Sequence, residues 1–422
     1  MDKLSFHNSN SLVGRVANAA LKFAPPFPIG PAERQPSAME KTGVEYRGAF
    51  QPANDIPGTL YVNDTFTPSF ANWSDINDVT HGVMVAESAR QLGFSGPLLG
   101  QESSVPGYGQ GLPEWASKVS TPSESAREAR GKLESYAAGQ ACSLLERSTE
   151  YLNGLTKHGV KDSAVNISYG LNVAKSANSL YDQLSPAMRA APEDRNPGLL
   201  DSRGLLDNAI QAFGLDETKL RSADREVRDI EQAKLLQGLL DASEAAYSGS
   251  AVQADRKLYN QAVKTFEAGH NSVVVSAGNQ GEDMHLIRGL VPTQKLREPG
   301  NMTENVLENN DVTLVGSTEH APGQLFTRRA AYTSPSAEID IYAPGWLESS
   351  RLGVKDVEGT SFAAPRVAAL MAEIHRRNPG ISSVKAEGLL MQQLSHTVED
   401  QSGAYPTLDL ERTQRFLADR TF

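Results

Sequence analysis

The run Ser272-Val273-Val274-Val275-Ser276-Ala277-Gly278-Asn279 constrains the fold more than any other segment. Three consecutive β-branched apolar residues show no polar alternation, so a strand built from them is buried on both faces, as in a parallel sheet covered by helices. Its Gly-Asn end delivers a polar side chain at the carboxyl edge of that strand. Similar short runs occur at Thr59–Asn63, Ala164–Ile167, Val312–Gly316 and Glu338–Gly345, with segments of helical period between them. Strands alternating with helices predict an α/β architecture: three layers, a mostly parallel sheet with helices on both faces. At 422 residues the chain could hold two or three domains, but the alternation argues for one doubly wound domain.

A second segment, Glu358-Gly359-Thr360-Ser361-Phe362-Ala363-Ala364-Pro365, is a glycine turn that opens a helix. Val367, Ala368, Leu370, Met371 and Ile374 continue it at helical spacing until Asn378-Pro379-Gly380 stops it. Ser361 therefore sits at a helix N-terminus, where its own N–H is unpaired and the helix dipole favours negative charge. Pro365 is read as part of the first turn, where a missing N–H costs little. A serine hydroxyl needs a base, a group to orient the base, and donors for a developing oxyanion before it can act as a nucleophile.

This octapeptide resembles the GTSxAxP signature of the subtilisin-like serine peptidases, the subtilases, and matches it at every fixed position. Three further segments resemble that family in its chain order. Ser276-Ala277-Gly278-Asn279 looks like the oxyanion strand, which implies Asn279 as side-chain donor. Thr80-His81-Gly82-Val83-Met84-Val85-Ala86 is similar to the segment carrying the base, which implies His81, with Met84 in place of a second histidine. Asp64-Thr65 after the Thr59–Asn63 run resembles the strand-terminal acid, with Phe66 where glycine is usual. Only a short connection separates Asp64 from His81, so Asp75 and Asp78 are alternatives for the acid; a strand end fixes a carboxylate better than the polar loop that holds those two.

The resemblance implies a subtilisin-like fold and a serine endopeptidase using Asp64, His81 and Ser361, with Asn279 in the oxyanion hole. Ala164-Val165-Asn166-Ile167-Ser168-Tyr169-Gly170 resembles the family's substrate strand, so Ser168, Tyr169 and Gly170 are expected to pair with an extended peptide. Ser276, Ala277 and Gly278 would floor the first specificity pocket, and Pro106–Gly111 is a candidate for the opposing strand. The alternative is a catalytically inactive scaffold that binds a partner, motivated by Phe66, Met84 and the short Asp-to-His connection.

Residues 1–47 are expected to be a flexible polar leader, and 48–422 a peptidase domain interrupted by a helical insertion at about 171–270. That insertion is a candidate lid or partner-docking element, or else a solvent-facing decoration. Within it, Gln232–Leu240 reads as a core stripe and Asp224–Asp229 as a solvated face. A long helix is predicted from Thr121, capped there with Pro122 at its first position, to about Thr156. A net charge of −11 disfavours nucleic acid as a partner, and no apolar run is long enough to span a bilayer. No cofactor is required by these motifs; a structural calcium is compatible with the family but not indicated. One cysteine, Cys142, permits no intrachain disulfide. With no signal-peptide layout, this suggests a cytoplasmic protein or one exported by a non-Sec route. The histidines other than His81, namely His7, His158, His270, His285, His320, His375 and His396, are read as surface or loop residues.

Overall fold

The computed structural model describes residues 41–43, 45–46, 56–66, 79–102, 118–191, 196, 199–298, 305–319, 328–334 and 338–419. The chain divides into Met1–Pro36 and Ser37–Phe422, and all the described residues belong to the second unit. Asp75, Asp78 and the Pro106–Gly111 segment lie outside the described residues, as do His7 and His320.

The strands are β1 (Glu45–Tyr46), β2 (Leu60–Asp64), β3 (Leu98–Glu102), β4 (Ala164–Ile167), β5 (Ser272–Ser276), β6 (Thr313–Glu319), β7 (Arg328–Arg329), β8 (Ile341–Pro344), β9 (Trp346–Ser349), β10 (Val354–Glu358), β11 (Ser395–Asp400) and β12 (Gly403–Leu408). The helices are α1 (His81–Leu92), α2 (Ala126–Lys157), α3 (Val173–Arg189), α4 (Leu200–Phe213), α5 (Glu217–Leu220), α6 (Arg225–Tyr247), α7 (Ser250–Glu267), α8 (Gln280–Leu290), α9 (Thr360–Arg377), α10 (Ser383–Gln393) and α11 (Leu410–Ala418). One sheet runs in the order β1-β3-β2-β4-β5-β6-β8-β12-β11, with β7 on β6, and β9 with β10 forms a separate hairpin. Pairing in the main sheet is parallel except at β11/β12 and β6/β7.

Side-chain alternation along the central strands builds the two outer layers. Val165, Ile167, Val273 and Val275 point to one core, shared with buried residues of α2, α3, α4, α6 and α7. Ala164 and Val274 point to the other, shared with α1, α9 and α10. The three-layer arrangement expected from the apolar runs is therefore present, and the helices between β4 and β5 supply much of one layer. Leu235, Leu236, Leu239 and Leu240 of α6 are buried, while Asp224 caps that helix from its exposed end.

Helix α2 begins later than its sequence suggests. Its cap is Ser125, whose hydroxyl accepts from the Glu128 N–H at 3.2 Å, while Glu128 reaches back to the Glu124 N–H at 2.9 Å. The Thr121 and Pro122 carbonyls instead accept from Lys132 Nζ, and Thr121 also accepts from Asn208 Nδ2. A Ser-x-x-Glu start outweighs Thr-Pro because it satisfies helix donors that Thr121 is too far away to reach.

His375 is not a surface residue. It is fully buried on α9, with Nε2 2.8 Å from Ser272 Oγ, and burial holds its imidazole down at about 4. Ser272 also meets Ser383 Oγ, which donates to Glu267 Oε1 at 2.7 Å. Burial pushes the Glu267 carboxyl up to about 7, opposed by the Ser383 bond and reinforced by Asp311 and Glu387. A folded chain that keeps this proton above the unfolded carboxyl's value of 4.5 loses stability as pH rises from about 4.5 to about 7. His375 has the opposite sign and adds stability as pH rises from about 4 to 6.5. Glu267→Gln removes only the first contribution. Thermal melts should show the variant with the higher Tm at pH 8 and no difference at pH 4; a lower Tm at pH 8 would refute a proton-holding Glu267.

Candidate active site

Asn63 pairs with Ile167 and Ile167 with Val275, so the next residues, Asp64, Ser168 and Ser276, stand in line at the carboxyl edge of three adjacent parallel strands. Open α/β sheets bind ligands at this edge.

Asp64 is 3% exposed, and its Oδ1 accepts the Thr65 N–H at 2.7 Å. The same oxygen lies 2.7 Å from His81 Nδ1, and Oδ2 is buried with no hydrogen-bond partner among the described residues. The Thr65 carbonyl accepts the Gly82 N–H at 2.9 Å, so the end of β2 and the start of α1 are tied through backbone as well. The His81 ring rests against the ring of Phe362, the residue after Ser361, with centroids 5.8 Å apart.

Both departures from the family pattern have packing explanations. Phe66 is fully buried, and a Cβ on Gly100 or Gly82 would lie 2.5 or 2.9 Å from its ring. Two glycines on other elements thus make room for the ring that stands where glycine was expected. The Phe66 N–H donates to Glu102 Oε2 at 2.9 Å. Met84 fills the core beneath α1.

Helix α9 starts at Thr360, which puts Pro365 in its second turn rather than its first. The proline leaves the Ser361 carbonyl without its helical donor. Ser168 supplies one: its Oγ donates to the Ser361 carbonyl at 3.0 Å, and Ser361 Oγ donates to the Ser168 carbonyl at 2.8 Å. Asn166 Nδ2 in turn donates to Ser168 Oγ at 2.8 Å. The turn that opens α9 and the end of β4 are therefore joined by a reciprocal pair of bonds.

Past β5, Gly278 adopts φ +92°, a conformation that favours glycine, and its N–H donates to Thr360 Oγ1 at 3.2 Å. Asn279 Oδ1 accepts from both the Thr360 N–H (3.0 Å) and Thr360 Oγ1 (2.8 Å). With its oxygen so held, the amide of Asn279 has one orientation, and its Nδ2 faces away from Thr360. A Cβ placed on Gly359 would sit 3.1 Å from that Nδ2 and 3.8 Å from the Ser361 N. Gly359 is thus required for the space it leaves between two donors. Gly359→Ala should lower kcat by about 10² to 10³, the size of losing one oxyanion donor, with KM nearly unchanged in steady-state assays. An unaltered kcat would show that the space is not used.

Gly170 and Ser276 are bridged by Asn305, a residue the motifs did not single out. Its Nδ2 donates to the Ser276 carbonyl at 2.8 Å, and a Cβ on Gly170 would collide with it. Tyr169 turns its hydroxyl to Asn63 Nδ2, and Lys175 Nζ donates to the Gly170 carbonyl at 3.1 Å. Ser168, Ser276 and Ala277 are buried, while Tyr169, Gly170 and Gly278 are partly exposed. Among the described residues no three His, Cys, Asp or Glu side chains gather as a metal site.

A carboxylate–imidazole pair, a serine at a helix N-terminus and an amide beside it all stand at the carboxyl edge of a parallel sheet, the kind of arrangement that serine hydrolases of α/β class use. Residues 237–412 match the model described as the subtilase family, a span that includes Asn279 and Ser361, and over that span the chain is similar to subtilisin-like serine proteases. No curated protein sequence matches the chain. Among solved structures it is similar to the nisin leader peptidase NisP from Lactococcus lactis, at 13% identity over 87% of this chain and 89% of that one, with a TM-score of 0.41. It is also similar to the epidermin leader peptide processing protease EpiP from Staphylococcus aureus, at 14% identity over 88% and 77%, with a TM-score of 0.39. A cold-adapted subtilisin-like serine proteinase has 15% identity over 86% and 94%, with a TM-score of 0.36.

Proposed function

We propose that the chain hydrolyses peptide bonds of protein substrates through Asp64, His81 and Ser361, with Asn279 Nδ2 and the Ser361 N–H receiving the oxyanion. The observation that carries this reading is the 2.7 Å contact between His81 Nδ1 and the buried Asp64, which assigns Nδ1 to the acid and so Nε2 to the role of base. In the first step His81 Nε2 takes the Ser361 proton as Oγ attacks the scissile carbonyl. The amine then leaves with that proton, and water releases the acyl group by the same path in reverse. Before attack, the Ser361 hydroxyl must leave the Ser168 carbonyl, which then becomes available to a backbone N–H of an extended substrate lying along Ser168–Gly170.

Packing accounts for Phe66 and Met84, two of the features that favoured an inactive scaffold, so that reading loses much of its support. A cytosolic site of action, or export outside the Sec route, is part of the proposal and accords with the single cysteine, Cys142; a partner at the helices between β4 and β5 is a further part of it. A fluorophosphonate probe tests the chemistry: labelling of the wild type that disappears in Ser361→Ala supports the peptidase, and no labelling of folded wild type refutes it.

A further inference from the structure

Arg366 follows Pro365 on α9 and is only 4% exposed. Among the described residues no carboxylate pairs with it. Its Nη1 donates to the Pro344 carbonyl and its Nη2 to the Trp346 carbonyl, the latter at 2.8 Å, while the Trp346 ring centroid lies 5.4 Å from Cζ. A buried cation without a counter-ion is costly, and this one is kept by two carbonyl dipoles and an aromatic face. Burial lowers its pKa to about 10, which still leaves it charged at neutral pH.

The two clamped carbonyls flank Gly345, which is itself wedged: a Cβ there would lie 1.7 Å from Ser317 Oγ and 2.6 Å from the Tyr332 hydroxyl. The Gly345 carbonyl accepts the Gly359 N–H at 2.8 Å. Gly359 precedes Thr360, whose N–H and hydroxyl both hold Asn279 Oδ1. A connected series of contacts therefore runs from the guanidinium through Gly345 and Gly359 to the two donors, Asn279 Nδ2 and the Ser361 N–H.

We propose that Arg366 is a positioning residue for the oxyanion hole, its buried guanidinium fixing the Gly345 peptide from which the Gly359–Ser361 turn hangs. This rests on the reading of Asn279 and the Ser361 N–H as oxyanion donors. Arginine suits the task because its planar fork spans two carbonyls two residues apart, whereas a lysine ammonium is a single point charge. Oxyanion donors act by preorganisation, so a small drift of the turn affects the transition state more than it affects substrate binding.

The test compares wild type, Arg366→Met and Arg366→Lys as full chains. It measures kcat and KM on a peptide amide, the Kd of a peptide boronic acid whose serine adduct carries a tetrahedral anion, and Tm. In Arg366→Met, kcat should fall by roughly 10²-fold with KM within about threefold, and boronate affinity should fall in step with kcat. Arg366→Lys, which keeps the charge but loses the fork, should lose about tenfold in kcat and in boronate affinity, and it carries the test if the Met variant does not fold. A kcat within threefold of wild type in the folded variants overturns the proposal. So does a lowered Tm with unchanged boronate affinity, the mark of a merely structural cation. Absence of turnover in wild type, or turnover that survives Ser361→Ala, would instead strike the triad reading itself.

Discussion

Ser361→Ala is expected to lower turnover by roughly 10⁶-fold, the scale on which a nucleophile is lost when the remaining triad members cannot act without it. Fluorophosphonate labelling should vanish in the same variant. Binding of an uncleaved peptide should survive, because the strand at Ser168–Gly170 and the amide of Asn279 are untouched. The structural cost should be small: the Ser168 carbonyl loses a hydroxyl donor at 2.8 Å, a bond worth about 1 kcal/mol net. The Ser361 carbonyl keeps its bond from Ser168 Oγ, since that bond uses backbone. A Ser361→Ala protein that still cleaved peptides at a comparable rate would place the chemistry elsewhere.

The second large effect concerns the acid. Asp64→Asn should reduce kcat by about 10⁴-fold, following the triad precedent. Asp64 Oδ1 serves both the Thr65 N–H and His81, so an asparagine that keeps its oxygen there must place an NH2 where Oδ2 is buried with no partner among the described residues. The opposite amide orientation would point an N–H at Thr65 and at the imidazole. Either way the negative charge that stabilises the imidazolium is gone, and the variant should also be less stable. Asp75→Asn and Asp78→Asn should remain near wild type in the same kinetic assay. An active Asp64→Asn with a crippled Asp75→Asn or Asp78→Asn would reassign the acid.

Where one local pattern carries one role, the sequence is explicit. The Val273–Val275 run becomes the central strand, and the Gly-Thr-Ser turn opens α9, because burial on both faces and helix initiation are decided within a few residues. Roles created by distant partners are hidden. Phe66 looks like a defect until Gly82 and Gly100 are found to vacate the space for its ring. Ser168 looks like a substrate-strand residue only, until Pro365 leaves the Ser361 carbonyl in need of a donor. Asn305 and Arg366 carry no motif at all, since their partners are backbone carbonyls brought near by the sheet. His375 departs from the surface expectation for a related reason: an imidazole can be buried when burial keeps it neutral and a hydroxyl such as that of Ser272 lies within reach.

Strands β4 and β5 lie side by side, yet α3 to α7 intervene between them in the chain. Those helices share a core with the faces of both strands, so the pairing that aligns Ser168 with Ser276 joins segments far apart in the chain and packs against a helical layer. Contacts so far apart in sequence are slow to form. During synthesis Asp64 and His81 emerge well before Asn279 and Ser361. On the proposed reading, a partly made chain holds two of the three triad residues and cannot cut its neighbours. Proteolytic competence is an all-or-none property of the closed sheet, and a variant that loosens the helical layer should delay the onset of activity during refolding more than it lowers the final rate.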